Sequence, residues 1–382
     1  MSKADKPRKV VIIDTFNPDK PDHHPGPTED LYYIASWGGQ WARNLKKNYP
    51  DLDLEIWRPE PSFDEIKSRI AFGVRASIFP AKKFVISKTV TTAMLKRLWS
   101  YSKKHQLIIH RNTIFDWRFN ILLPCLLPSA RFILSHHGGT FPTKKSIKSL
   151  IKEKILCVSF KRISAITYLR AAIKETIERS NRKIWFTFLP VGANFGHFRP
   201  LDKQKCREKL NLPLDSVLAV YVGKYYSLKG VDHILSVYHL LKNRNFGILF
   251  VGGSEADELY SSVAASGCRI WDYMDHDRLR EVYSAADFYI HPAFHPSFGG
   301  FDVSLIEALA CNRPVLSPQL RELDFNYCEL GLPIDDDKEI LEKTKTMIKK
   351  YGDYTRCRES AIGHLDRDSV ILEKLLQIYM GV

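Results

Sequence analysis

Long hydrophobic runs are absent from this sequence of 382 residues. A membrane-spanning helix needs roughly 18 apolar residues in succession, and Pro124 interrupts one of the longest apolar stretches, 119–127. The opening residues, MSKADKPRK, carry charges of both signs and lack the apolar segment of a secretory signal. We therefore expect a cytoplasmic protein, with peripheral attachment to the inner face of the membrane as the only membrane contact.

The sequence contains few cysteines, and no two of them are closely spaced. The seven cysteines are odd in number, widely scattered and never form a Cys-x-x-Cys motif. This pattern argues against a disulfide framework and against a zinc site, so we expect reduced thiols. The phosphate-binding motif GxxxxGK[ST] is also missing.

Acidic residues are few in the first half of the chain. Residues 1–190 contain 34 Lys and Arg against 16 Asp and Glu, whereas residues 191–382 contain 23 against 27. Such asymmetry is typical of a surface that meets an anionic partner. Nucleic acid and an anionic membrane leaflet are the two candidates.

The basic excess is densest between Ile66 and Phe115, where eleven Lys and Arg occur without one acidic residue. Apolar residues such as Phe79, Leu98 and Trp99 are interleaved with these charges. A mixed basic and apolar segment fits a patch that lies in a membrane interface. A plain solvated basic face is the alternative.

Short apolar runs alternate with amphipathic stretches along the whole chain. Helical stretches of about 10–15 residues between strands predict parallel β-α-β units. Pro190, Gly192 and Pro200 indicate a hinge at 190–200. We predict an α/β protein with two doubly wound, Rossmann-like domains, residues 1–190 and 191–360, facing across a cleft. A terminal helix in 361–382 is expected to pack back on the first domain.

A glycine and two lysines follow the strand predicted at 217–222. Gly223 and Lys224 come directly after the strand, and Lys229 and Gly230 precede a helix. Glycine permits a tight turn, a helix N-terminus offers free N–H groups, and ammonium groups add positive charge. These features fit a diphosphate-binding loop, and an ordinary solvated loop is the alternative.

A glycine pair and an embedded glutamate follow the strand predicted at 288–291. Gly299 and Gly300 precede a helix in which Glu307 is flanked by Leu, Ile and Ala residues. A carboxylate in so apolar a stretch is costly unless it holds hydroxyl groups or a cation. The alternative is a glutamate on the solvent side of the helix.

Five motifs of the second half occur in an order typical of one enzyme family. They are Leu189-Pro-Val-Gly-Ala-Asn with Phe198-Arg-Pro, Gly223-Lys224 with Lys229-Gly230, Tyr283-Ser-Ala-Ala-Asp287, Gly300-Phe301, and Glu307-Ala-Leu-Ala with Pro314-Val315. With them, residues 188–317 resemble the nucleotide-sugar domain of retaining glycosyltransferases of family 4, which have the GT-B fold. In the first half, Gly38-Gly39 is similar to the family's glycine loop and His137-Gly138 to its His-Gly pair.

The resemblance implies a role for each matching residue. Lys224 and Lys229 would bind the diphosphate of the donor, and Glu307 would accept hydrogen bonds from the ribose hydroxyls. His137, or its neighbour His136 if the register differs by one, would lie near the transferred sugar. The implied catalytic residues are thus His137, Lys229 and Glu307, and the resemblance implies neither a metal nor another cofactor.

Further residues complete the donor site that the resemblance implies. Glycines would let the backbone approach the phosphates, and the loop before Glu307 would present backbone N–H groups. The implied donor-binding residues, besides the two lysines and Glu307, are Gly38, Gly39, Gly223, Gly299, Gly300, Phe301 and Asp302.

Two positions depart from the family pattern. The family's first glutamate, which contacts the transferred sugar, is Gly299 here, and the glycine after Gly300-Phe301 is Asp302. The lost carboxylate either changes the choice of donor or weakens catalysis. Asp302 or Ser297 could replace its hydrogen bonds.

The expected function is therefore sugar transfer. The donor would be a UDP- or GDP-linked sugar, the acceptor a lipid-linked, polysaccharide or other glycan, and the reaction retaining and metal-independent. The alternative is a catalytically silent GT-B protein that binds a nucleotide sugar or scaffolds a partner. An anionic membrane surface is an expected partner through the segment between Ile66 and Phe115. Nucleic acid is not, because zinc-finger, RRM and KH signatures are missing.

Overall fold

The computed structural model describes residues 6–14, 37–61, 63–81, 84–86, 89–136, 147–169, 184–242, 245–294 and 302–381, with positions 174, 177 and 178. Within these residues the chain forms two α/β domains, each built on its own largely parallel sheet.

The first domain contains an eight-stranded sheet in the described part of the chain. The strand order is β10-β9-β8-β7-β1-β2-β4-β3, and only the β3–β4 pair is antiparallel. The elements are β1 (Arg8–Ile13), α1 (Trp37–Asn48), β2 (Leu54–Glu60), β3 (Lys67–Ala71), β4 (Val74–Pro80), β5 (Phe84–Ile86), β6 (Val90–Thr91), α2 (Thr92–Lys104), β7 (Gln106–Arg111), α3 (Trp117–Leu126), β8 (Arg131–Ser135), α4 (Ile147–Ser159), β9 (Ala165–Tyr168) and β10 (Trp185–Phe188).

The second domain contains six parallel strands in the order β13-β12-β11-β14-β15-β16. Its elements are α5 (Lys203–Lys209), β11 (Val217–Val222), α6 (Val231–Leu241), β12 (Phe246–Val251), α7 (Tyr260–Ala265), β13 (Arg269–Trp271), α8 (His276–Ala285), β14 (Phe288–Ile290), α9 (Val303–Ala310), β15 (Val315–Leu316), β16 (Gly331–Leu332) and α10 (Ile340–Lys350). Two further helices, α11 (Cys357–Leu365) and α12 (Leu372–Met380), end the described chain.

The strand order of the second sheet determines where a ligand can enter. Successive strands run outward from β11 in one direction through β12, and from β14 in the other. A crevice opens at the carboxyl ends of the strands where the order reverses, and ligands bind there in open α/β sheets. The loops that follow β11 and β14 therefore border the same crevice.

The carboxyl edges of the two sheets meet across the domain boundary. Tyr168 ends β9 of the first domain, and its hydroxyl donates a hydrogen bond of 2.6 Å to Asp324 Oδ2, beyond β15 of the second. The rings of Phe188 and Phe325 also contact each other edge to face, with centroids 6.3 Å apart. The two domains consequently face each other across a cleft lined by strand carboxyl ends.

Helix α12 returns from the second domain to the first. Leu372, Leu375 and Ile378 are buried in the same apolar cluster as strand β1. The Tyr379 hydroxyl lies 2.7 Å from His110 Nδ1 on β7. The Arg131 guanidinium donates to the last carbonyls of the helix, at 3.0 and 3.1 Å.

Some expectations differ from the structure. The sequence predicts that Gly38-Gly39 comes just before a helix at 40–48, but α1 (Trp37–Asn48) includes both glycines. Phe79 and Leu98 are buried in the core, so the expectation that they belong to an interfacial patch is wrong, whereas Trp99 is half exposed. The sequence also predicts a helix at about 169–180, and most of these positions lie outside the described residues. No helix in the described part of the chain is long and apolar enough to span a bilayer.

Candidate functional site

Gly223 makes the turn that ends β11. Its φ is +149°, in the region that favours glycine, and its N–H donates to the Val251 carbonyl on the neighbouring strand at 2.9 Å. Directly after it, the Lys224 carbonyl accepts a hydrogen bond of 2.7 Å from the Tyr221 hydroxyl. The Lys224 ammonium lies 3.7 Å from the buried carboxylate of Asp257. Lys224 is thus held beside an acidic side chain at the crevice.

Lys229 is held at the crevice by the close approach of two loops. It ends a short 3-10 turn, Ser227–Lys229, and Gly230 follows with a φ of +77°. A Cβ on Gly230 would lie only 2.2 Å from the Pro292 carbonyl oxygen, so only glycine permits this contact. The loop after β11 therefore rests against the loop after β14, and the Lys229 side chain is carried to the end of both strands.

A carboxylate lies next to the Lys229 ammonium. Asp302 Oδ2 is 3.5 Å from Lys229 Nζ and 2.9 Å from Nε2 of the fully buried His291. Asp302 precedes α9, and its side chain makes no capping bond to that helix. Burial raises the pKa of the Asp302 carboxyl, but its interactions with His291 and Lys229 outweigh burial and hold the pKa well below its usual range. The ionised carboxylate neutralises part of the positive charge that an incoming diphosphate would meet.

Two aromatic rings fix His291. The ring of Tyr221 stacks against the imidazole, with centroids 5.8 Å apart, and so does that of Tyr289, at 6.1 Å. The Tyr289 hydroxyl lies 2.8 Å from Ser304 Oγ at the start of α9. The imidazole is therefore packed rigidly with Nε2 toward Asp302, and it orients that carboxylate.

Glu307 is buried one turn inside α9 and does not lie on a solvent face, so the solvent-side alternative is excluded. Its Oε2 accepts a hydrogen bond of 3.0 Å from the Tyr283 hydroxyl on α8. Burial raises the pKa of the Glu307 carboxyl to about 8, against the opposing effects of the Tyr283 hydrogen bond and the Arg367 charge. A carboxyl with this pKa is largely protonated at neutral pH and can both donate and accept hydrogen bonds.

Gly38 lies against the ends of two strands of the first domain. A Cβ there would lie 2.6 Å from Asn112 Nδ2 beyond β7 and 2.8 Å from Ile12 Cγ2 on β1. The Asn112 amide in turn donates to Asp14 at the end of β1. Glycine at 38 lets the first turn of α1, including Gly39, sit directly on the carboxyl edge of the sheet.

Four expected site residues cannot be placed. His137, Gly299, Gly300 and Phe301 lie outside the residues that the structure describes. The neighbouring His136 is buried at the end of β8, where its N–H donates to the Thr167 carbonyl at 2.8 Å. Its ring meets Phe115 edge to face at 5.8 Å.

Two residues of the site had no assigned role in the sequence interpretation. His291 closes a strand that was predicted, and a histidine at a strand's carboxyl end is a usable signal. Tyr283 belongs to one of the five motifs, but helical spacing gives no sign that its hydroxyl reaches Glu307 on another helix.

Comparison with known proteins agrees with this geometry. Residues 216–349, which contain Lys224, Lys229, Asp302 and Glu307, match the family described as Glycosyl transferases group 1. HepE of Anabaena, solved in complex with UDP, has a TM-score of 0.68 at 12% identity, covering 98% of this chain and 100% of HepE. This likeness shows the fold, which is GT-B.

Two curated relatives each match part of the chain. TuaC of Bacillus subtilis strain 168, provisionally named a teichuronic acid biosynthesis glycosyltransferase, is 27% identical over 163 residues, 41% of this chain and 40% of TuaC. The D-inositol 3-phosphate glycosyltransferase of Acidothermus cellulolyticus is 30% identical over 166 residues, 38% of this chain and 36% of its own length. The chain thus spans less than half the length of each of these relatives.

Proposed function

We propose that this chain, whose residues 216–349 match the family described as Glycosyl transferases group 1, transfers a sugar from a UDP- or GDP-linked donor to a glycan or lipid-linked acceptor. The observation that carries the proposal is the position of Lys229 Nζ, beside Gly223 and at the reversal point of the second sheet. An ammonium at this point of an open α/β sheet is placed to hold a phosphate group.

The donor's diphosphate would lie between the two lysine-bearing loops. Lys229 would contact one phosphate, and Lys224 would add charge from the loop after β11. When the anomeric C–O bond breaks, negative charge grows on the departing diphosphate. Cations fixed at that position stabilise the transition state more than the bound donor, which is how they accelerate transfer.

Glu307 would bind the ribose of the donor. A buried carboxyl that already accepts from Tyr283 has further hydrogen-bonding capacity, which two adjacent ribose hydroxyls could satisfy. Gly38 and Gly39 would let the first turn of α1 close over the phosphates from the other domain. His137 remains the proposed neighbour of the transferred sugar.

Retention and independence from metal are predictions of the same proposal. Proton NMR of the initial product would show an anomeric configuration equal to that of the donor. Transfer measured in excess EDTA should keep its rate, because the lysines supply the positive charge in this scheme.

A silent nucleotide-sugar-binding protein is the second candidate, favoured by the Asp302 carboxylate beside Lys229. The chain is incubated with radiolabelled UDP- or GDP-sugars and with membrane and glycan extracts as acceptors. This experiment distinguishes an enzyme from a silent binding protein. The enzyme gives labelled product that disappears in Lys229→Ala. A silent protein binds the donor and gives none.

The donor itself can be identified by thermal shift. UDP, GDP and ADP, each with its common sugars, should produce one clear rise in melting temperature, because a ligand that binds only the folded state stabilises it. Lys229→Ala should abolish that rise. If no nucleotide raises the melting temperature of the wild-type chain, the proposal is wrong.

The basic face between Ile66 and Phe115 is a proposed membrane contact. Trp99 is half exposed on α2, with the Lys103 ammonium 5.7 Å from its ring centroid. The hairpin of β3 and β4 also exposes Ile70 and Phe72. A membrane contact at this face suits an acceptor that is carried on a lipid.

A further inference from the structure

Two neighbouring helices of the first domain, α3 and α4, turn apolar side chains to solvent. We define the α3–α4 face as the exposed large apolar residues of these helices: Trp117, Leu122, Leu126, Ile151, Ile155 and Val158. Ile151 and Val158 are each 53% exposed, although isoleucine and valine are usually buried. The exposure is therefore a feature that calls for a partner.

The outward side of α4 differs from that of an ordinary surface helix. Ile151, Ile155 and Val158 are exposed and follow helical spacing, so they form one stripe, while Leu156 and Ser159, about a quarter-turn farther round the helix, are buried. A surface helix normally turns its polar stripe outward. Here the exposed stripe is apolar.

The two helices lie side by side. The Asn120 amide of α3 donates to Ser159 Oγ of α4 at 3.3 Å. Arg162, just beyond α4, donates to the Pro124 carbonyl within α3 at 3.3 Å. The α3–α4 face therefore draws its exposed apolar side chains from two adjacent helices, and we call these side chains together the apolar strip.

The charged side chains that the structure describes on α3, on α4 and directly after α4 are basic. They are Arg118, Lys154, Lys161 and Arg162. The Arg118 guanidinium lies over the Trp117 ring, 5.2 Å from its centroid. Lys154 and Lys161 are exposed at α4 and just after it. An apolar strip with a basic border and a tryptophan at one end matches the chemistry of a bilayer surface.

We infer that the α3–α4 face docks on an anionic bilayer, with its apolar side chains in the headgroup boundary and its basic border on the lipid charges. A second copy of the chain is disfavoured as the occupant, because a two-fold interface would set one basic border against the other. A bilayer supplies apolar surface and negative charge together.

The α3–α4 face lies close to the cleft between the domains. Helices α3 and α4 follow β7 and β8, so both begin at the carboxyl edge of the sheet, next to the cleft. A chain docked through this face would hold the mouth of the cleft close to the headgroups. That role rests on the proposed function, since the bilayer then holds the lipid-linked acceptor, whereas the docking itself does not depend on sugar transfer.

The test is flotation of the full chain with vesicles of equimolar phosphatidylglycerol and phosphatidylcholine, compared with phosphatidylcholine alone. The double variant Leu122→Glu/Ile155→Glu places two carboxylates in the strip at exposed positions. Its partition onto the anionic vesicles should fall by about tenfold or more. Leu240→Glu, at a residue 64% exposed on α6 of the other domain, is the matched control and should float like the wild type.

The outcomes separate the inference from its rivals. Loss of flotation in Trp99→Glu but not in the double variant would assign membrane binding to α2 and overturn the inference. A wild-type chain that ignores the vesicles but forms a dimer broken by the double variant would show self-association instead. The nucleotide-induced rise in melting temperature, measured on the same double variant, should be unchanged. If no nucleotide raises the melting temperature of the wild type or of any variant, the proposed function is contradicted, and the docking result still stands.

Discussion

At the residue scale, the unusual feature is the carboxylate of Asp302 beside Lys229. The family pattern has glycine at this position, and the chain replaces it with a charge of the sign opposite to that of the lysine. The side chain is strongly ionised because Lys229 and His291 hold its pKa low. A donor diphosphate entering the crevice would meet a negative charge that is already present.

Asp302→Asn should therefore tighten the binding of a nucleoside diphosphate. Removing one negative charge near the phosphates relieves a repulsion that is worth about 1–4 kcal/mol at such separations, and about tenfold in affinity is a conservative expectation. Isothermal titration calorimetry measures the change. Asp215→Asn, an exposed carboxylate ahead of β11, controls for net charge. Weaker binding by Asp302→Asn would mean that the carboxylate contacts the donor favourably.

Glu307 predicts a dependence of stability on pH. Its pKa is about 8 in the folded chain and about 4.5 when exposed, so the folded state holds this proton more tightly. Its contribution to stability is thus greatest below about pH 4.5, falls as pH rises toward about 8, and is constant above. The melting temperature of the wild type relative to Glu307→Gln should decline between pH 5 and pH 8. If the melting temperatures of the two proteins change in parallel with pH, Glu307 is not a buried, protonated carboxyl.

The sequence predicted where these residues lie in the fold, but it did not predict their side-chain contacts. Lys229 and Glu307 were placed beside predicted strand ends because a strand–loop–helix pattern fixes where such loops lie. The contacts of Asp302 with Lys229 and His291 join three segments of the chain, and no spacing rule connects them. The hydrogen bond from Tyr283 to Glu307 depends on side-chain direction, which a sequence pattern does not contain.

At the element scale, close packing of glycines sets the positions of the loops. Gly38 and Gly230 each lie where a Cβ would meet another segment. Sequence patterns predicted that the glycine pair precedes a helix, but α1 begins at Trp37. The reason is that a glycine can occupy a first turn when the strand edge leaves no room for a side chain.

Gly38→Ala should lower the melting temperature, because the new methyl group would overlap Asn112 and Ile12. Overpacking of this kind costs about 1–3 kcal/mol. Gly363→Ala is the matched control, since a Cβ there meets nothing within 4 Å inside α11. It should be neutral or slightly stabilising. If both substitutions change the melting temperature equally, Asn112 and Ile12 can move to accommodate the new methyl group.

Edge elements were the least predictable part of the fold. The hairpin of β3 and β4 was not anticipated, because most of β3 is exposed and lacks the apolar run of a buried strand. The strands predicted at 217–222 and 288–291 correspond to β11 and β14, which carry apolar runs and are largely buried.

At the scale of the whole molecule, helix α12 ties the end of the chain to the first domain. The Tyr379 hydroxyl meets His110, whose other ring nitrogen lies 2.6 Å from Ser135 Oγ. Ser135 lies in turn 2.7 Å from Thr167 Oγ1, so the chain of hydrogen bonds crosses β7, β8 and β9. It lies wholly inside the apolar core, where an unpaired polar group is costly.

Tyr379→Phe should lower the free energy of unfolding by about 1–3 kcal/mol, because it removes the buried hydrogen bond between the Tyr379 hydroxyl and His110. Urea denaturation followed by circular dichroism measures the loss. Tyr273→Phe, at a residue 67% exposed in the second domain, should have no effect. If Tyr379→Phe is equally silent, α12 does not stabilise the first domain through this bond.

In the proposed site, Lys229 holds the diphosphate of a nucleotide sugar. The most direct measurement is calorimetric titration of UDP and GDP into the wild type, Lys229→Ala and the control Lys350→Ala, whose lysine is exposed at the end of α10. We predict that one nucleotide binds the wild type and the control alike and binds Lys229→Ala at least about tenfold more weakly, as expected when a charge-assisted contact is lost. Equal dissociation constants in all three proteins would contradict the account.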